Sequence, residues 1–114
     1  MHRIRGLDLH CREALALRVI EQVRDLAREI RARRHVSTII LYGSFSRGDF
    51  HEGSDVDLIV VGDFRERPHK RAAAILGLTD LPVEPLCYTD EEFAELVRNE
   101  NPFILQALAE GVRV

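Results

Sequence analysis

The sequence predicts an α/β (α+β) fold, a small mixed β-sheet packed against helices. Three observations carry that expectation. Apolar residues at three- and four-residue spacing fill the first third of the chain. Short apolar runs rich in β-branched residues come next, and two capped helices close the sequence. With 114 residues there is material for one core, so residues 1–114 form a single domain.

The first element is a helix from about Asp8 to Arg34. Ala16, Val19, Ile20, Val23, Leu26, Ala27 and Ile30 fall on one stripe. Asp8 is the expected N-cap, and Arg31, Arg33 and Arg34 sit where the helix dipole favours cations. The remaining core, about 36–114, opens with Val36–Tyr42, whose near-continuous apolar character predicts a strand covered on both faces and stopped by Gly43. A polar loop from Gly43 to Ser54 leads through Asp55 into a second apolar run, Val56 to Val61. Pro68 starts a short helix ending near Gly77. Leu81 to Tyr88 is the third strand, placed at an edge or bulged because Pro85 has no N–H for a central ladder. Thr89-Asp90-Glu91-Glu92 is a capping box, Asn101-Pro102 starts the last helix, and Gly111 ends it.

Composition narrows the function. The formal net charge of −3 argues against a dedicated nucleic-acid binder, although residues 1–35 carry nine arginines against five acids. No apolar run approaches the ~20 residues of a membrane span. The N-terminus lacks the apolar stretch of a secretory signal, and Cys11 and Cys87 lie too far apart in sequence for a zinc or disulfide framework. The expected compartment is the cytoplasm.

The chemistry concentrates between Tyr42 and Leu58. Asp55 and Asp57 are two residues apart at the start of a strand, so both point to one face while Val56 and Leu58 point to the core. Neighbouring carboxylates repel unless a cation or proton neutralises them, and an all-oxygen donor set selects Mg²⁺, with Mn²⁺ close behind. Upstream, Gly43-Ser44 ends a strand where backbone N–H groups and a hydroxyl can cradle phosphate oxygens. No Walker A or dinucleotide fingerprint accompanies them.

Gly-Ser, ten residues, then Asp-x-Asp is similar to the signature of the nucleotidyltransferase superfamily related to DNA polymerase β. The short chain resembles its minimal nucleotidyltransferase (MNT) group. Gly43, Ser44, Asp55 and Asp57 match position by position, and the likeness runs from about Ile39 to Val114. It implies the nucleotidyltransferase fold, two Mg²⁺ ions held by Asp55 and Asp57, and transfer of AMP from ATP to a hydroxyl. A third carboxylate on a later strand, completing the metal site, is also implied. Glu84 stands there, in Val83-Glu84-Pro85-Leu86 where the family has an aspartate, and its alternative fate is a solvated edge-strand acid. Arg47 is expected to meet the leaving phosphates. MNT proteins pair with HEPN-domain ribonuclease toxins, so the resemblance implies an antitoxin that adenylylates its toxin on a tyrosine. The alternatives are a degenerate module that neutralises a partner by occupation, or nucleotide transfer to a small molecule or RNA.

Phe45 and Phe50 are candidates to stack on a base, although aromatic residues beside a sheet usually belong to the core. Asp63 is a weaker candidate for the metal neighbourhood. Arg65, Arg67, His69, Lys70 and Arg71 form a basic cluster that could touch triphosphate or an acidic partner, or simply be solvated.

Overall fold

The computed structural model describes residues 2–43 and 55–114, with side chains from Ala14 onward. The elements are α1 (His2–Arg33), β1 (Val36–Tyr42), β2 (Val56–Gly62), α2 (Pro68–Leu76), β3 (Val83–Tyr88), α3 (Asp90–Arg98), α4 (Pro102–Glu110) and β4 (Val112–Arg113). They form a four-stranded sheet of order β3-β2-β1-β4. β1 is antiparallel to β2 and β4, and β2 is parallel to β3. The α+β mixed sheet is the one the element order predicts.

Each face of the sheet carries a pair of helices. On one, Val19, Val23, Leu26, Ala27 and Ile30 of α1 and Ile75 of α2 pack against Ile39, Leu41, Val56, Leu58 and Val60. On the other, Ile104 and Ala107 of α4, with Phe93, Leu96 and Val97 of α3, cover Ile40, Ile59 and Val61. Coverage on both sides is why β1 and β2 are apolar almost throughout rather than alternating. Within β2, every residue is buried except Asp57. A polar side chain at that point in a buried strand needs a functional or compensating reason.

Element ends follow local chemistry. In α3 the Thr89 side chain accepts from the Glu92 N–H while Glu92 Oε1 accepts from the Thr89 N–H at 2.8 Å, closing the expected box. Asn101 Oδ1 accepts from the Ile104 N–H at 3.2 Å with Pro102 in the first turn of α4. At Gly111 an added Cβ would run into the Ala107 carbonyl and Ile40, so this junction into β4 excludes side chains.

Three sequence expectations shift. α1 starts at His2, leaving Asp8 inside the helix and not at its cap. No proline interrupts residues 2–8, and Gly6 costs a helix only about 1 kcal/mol. β3 starts at Val83, two residues later than expected, because the Val83 N–H turns back to the Leu81 carbonyl at 2.8 Å. β4 was not expected. Its two residues pair with Ile40 and Leu41, an interaction set by tertiary contact and not by any local pattern. Pro85 sits on the sheet edge, as a missing N–H requires.

Candidate active site

Sheet register builds the site. Tyr42 is the partner of Asp57, and Asp57 is the partner of Glu84, so three strands contribute one transverse row. Neighbouring strands lie about 4.8 Å apart, which brings these side chains within reach of one another on the α3/α4 face. Asp55, just before β2, joins the row: its carboxylate and that of Asp57 both share hydrogen bonds with the Glu84 carboxyl. The Asp55 charge, followed by desolvation and the hydrogen bonds to Asp55 and Asp57, holds Glu84 above the ordinary carboxyl range. Asp55, Asp57 and Glu84 are therefore brought together, with Glu84 solvent-exposed on the edge strand β3.

Gly43 closes one side. Its φ of +80° lies in the left-handed region, and a Cβ built there would collide with the Asp57 carboxylate. Only glycine lets the chain turn at this point while leaving Asp57 in place. Tyr42 stands beside it, half-buried, its phenol pushed up to about 12 by burial and then by the Asp57 charge. That hydroxyl stays protonated at any working pH.

The donor chemistry suits a hard divalent cation: three coupled carboxylates whose mutual repulsion a dication would relieve. Among the described residues no three His, Cys, Asp or Glu side chains converge on a single ion position by themselves. Additional oxygens, such as those of a bound triphosphate, would have to complete the shell. Ser44 and Arg47 lie outside the described residues, as do Phe45 and Phe50.

Beside Asp57 opens a cavity of about 350 Å³, lined by Tyr42, Gly43 and Asp57 from the sheet and by Phe103, Gln106, Ala107 and Glu110 from α4. Tyr42 and Phe103 meet edge to face at 5.4 Å between centroids. The sequence reading did not single out this wall. Its signal was present, because 103, 106, 107 and 110 follow the helical i, i+3, i+4, i+7 pattern, but nothing local said that this face turns toward Asp57.

Two expectations fall away from the site. Asp63 follows the far end of β2, where its N–H donates to the His35 carbonyl at 2.9 Å. The basic cluster lies at that far end too. Its Arg71 is the one buried polar or charged residue among those described, and it donates to Glu92 Oε1 at 2.6 Å and to the Glu66 carbonyl at 3.0 Å. It clamps α2 to α3 and is not placed to reach phosphates. Cys87 is half-buried and burial pushes its thiol up to about 11, which makes it an inert packing group.

Comparison with known proteins identifies the family and the fold. Residues 21–108 match the nucleotidyltransferase domain family, a span that takes in the C-terminal part of α1 as well as β1, β2 and β3. A protein of Methanocaldococcus jannaschii, provisionally named a protein adenylyltransferase, is 52% identical over 31 residues. That match spans 27% of this chain and 31% of the relative's length. The crystal structure of a provisionally named nucleotidyltransferase from Sulfolobus solfataricus superposes with a TM-score of 0.60 at 17% identity, over 70% of this chain and 75% of the other. It shows the shared fold. Among the described residues no helix is long and apolar enough to cross a membrane. A mixed sheet with helices on both faces, an Asp-x-Asp strand opposite a third carboxylate, and a family match across most of the sequence lead to one assignment: this chain belongs to the nucleotidyltransferase domain family.

Proposed function

We propose that this chain is a Mg²⁺-dependent protein adenylyltransferase that transfers AMP from ATP to a tyrosine hydroxyl of a HEPN-domain ribonuclease, acting as that toxin's antitoxin. The observation that carries the reading is the coupled row of Asp57 and Glu84 on adjacent strands with Asp55 bonded to the same carboxyl. The name of the M. jannaschii relative supports protein as the acceptor class.

In this reading Asp55 and Asp57 hold the metal, with Glu84 beside them. Bound Mg²⁺ would supply Lewis-acid polarisation of the α-phosphorus and neutralise triphosphate charge. The acceptor oxygen bonds to the α-phosphorus, the bond from that phosphorus to the α,β-bridging oxygen breaks, and pyrophosphate leaves with the electron pair. The Glu84 carboxylate takes the hydroxyl proton, as a carboxylate within reach of the acceptor can. Ser44 and Arg47, matched by the family resemblance and outside the described residues, would meet the phosphate oxygens in this reading.

The test is incubation with α-labelled ATP, Mg²⁺ and the product of the neighbouring gene, with a HEPN-domain protein as the expected acceptor. Label on a partner tyrosine, lost in Asp55→Asn and Asp57→Asn, is the expected result. Label that persists in both variants removes the reading. Ribonuclease suppression that survives both substitutions without any label would leave the domain a neutraliser by occupation, a reading favoured by the lack of a self-sufficient ion position among the described carboxylates.

A further inference from the structure

We infer that the cavity between β1 and α4 is a base-selecting subsite, in which Gln106 and Glu110 recognise the exocyclic amine of the incoming nucleotide. The inference rests on the nucleotide-transfer reading and adds to it the residues that choose the base.

The cavity is continuous with Asp57, so a ligand phosphate held at the carboxylate row would put the rest of the nucleotide beside α4. Its volume of about 350 Å³ falls in the range of small-molecule sites. Phe103 lines the cavity, is 43% exposed although it is a large apolar ring, and meets Tyr42 edge to face, so part of its aromatic surface is uncovered. Such a surface gains most when a flat ring covers it.

Polarity then chooses among rings. Gln106 Nε2 donates to Glu110 Oε2 at 3.4 Å, one turn along the helix. With the amide nitrogen directed to Glu110, the Gln106 carbonyl oxygen remains as an acceptor, and the Glu110 carboxylate brings further acceptor capacity. Two adjacent acceptors select a ligand edge that carries donors. The 6-amino group of adenine meets that requirement, whereas a ring edge without an amine leaves both acceptors without a ligand donor.

The experiment measures dissociation constants of the full chain with Mg²⁺ for ATP and for purine riboside triphosphate, which lacks the 6-amino group and carries nothing in its place. Inorganic tripolyphosphate is titrated separately as a probe of the phosphate site. The expected result is ATP binding about tenfold tighter than the amine-free analogue, with the ratio falling toward one in Gln106→Leu and in Glu110→Leu. Both positions are solvent-exposed, and thermal melting verifies that each variant is folded. Equal affinities in the unsubstituted protein, or a ratio that both variants leave intact, overturn the subsite while tripolyphosphate binding keeps the phosphate reading. Failure to bind either nucleotide or tripolyphosphate removes both.

Discussion

The two ends of the sheet treat charge in opposite ways. At the far end, Arg34 is paired with Glu66 and lies 5.4 Å from the Phe64 ring centroid, while Arg71 is paired with Glu92 and lies 5.9 Å from the same ring. Glu66 and Glu92 each have their base there, and the Arg34 guanidinium holds the Glu66 carboxyl at about 2. At the near end, the charges of Asp55 and Asp57 raise the cost of ionising Glu84, and Gly43 takes a left-handed turn that leaves room for the Asp57 carboxylate. Neutralising charges internally at one end stabilises the fold there, whereas gathering like charges at the other costs stability unless a cation or a proton offsets them.

The sharpest way to break this contrast is to neutralise the near end. Asp57→Asn is expected to lower labelled-AMP transfer by about a thousandfold or more, as loss of a metal-binding carboxylate does, with melting little changed. Gly43→Ala disturbs the same end through the backbone. The clash with Asp57 and the positive φ together cost about 1–3 kcal/mol in urea unfolding, and activity falls with them. Arg71→Ala addresses the far end, where it leaves Glu92 and the Glu66 and Cys87 carbonyls without their donor. Because Glu92 is 43% exposed, the expected loss is about 2 kcal/mol and not the full cost of breaking a buried pair. Transfer activity per folded molecule should be unchanged.

The far end was largely illegible in the sequence. Arg71 reads there as one more member of a basic run, and only the packing of α2 against β3 buries it. Strand bodies, by contrast, follow from composition: Ile39–Leu41 and Leu58–Val61 are apolar because helices cover both faces, and the same coverage exposes Asp57 as an exception. The Thr89–Glu92 box and the Asn101-Pro102 start are local motifs and therefore visible. Register is not local. That Glu84 lies opposite Asp57, and that Phe103 and Gln106 face the same carboxylate, depends on how β3 and α4 dock. Glu84 could be suspected from family resemblance, whereas the α4 wall had no motif to announce it.

The smallest expected effects come from pH, and they have opposite signs at the two ends. Glu66 binds its proton less tightly folded than unfolded, so its contribution is full above the ordinary carboxyl value and is lost as pH falls toward about 2. Glu66→Gln should flatten the acid limb of a stability profile in that window. Glu84 has the reverse sign: its folded carboxyl is raised, so it favours the folded state at low pH and that benefit disappears as pH rises through the raised value. Glu84→Gln is expected to raise the melting temperature slightly at neutral pH without metal, and to abolish part of the stabilisation that added Mg²⁺ provides.

The central claim is that the carboxylate row is a divalent-cation site completed by a triphosphate. Mn²⁺ titration followed by water-proton relaxation, with and without a non-hydrolysable ATP analogue, tests it most directly. The account predicts Mn²⁺ binding that tightens when the analogue is present and is lost in Asp57→Asn. Equal Mn²⁺ binding by the native protein and Asp57→Asn, whether or not the analogue is present, would contradict it.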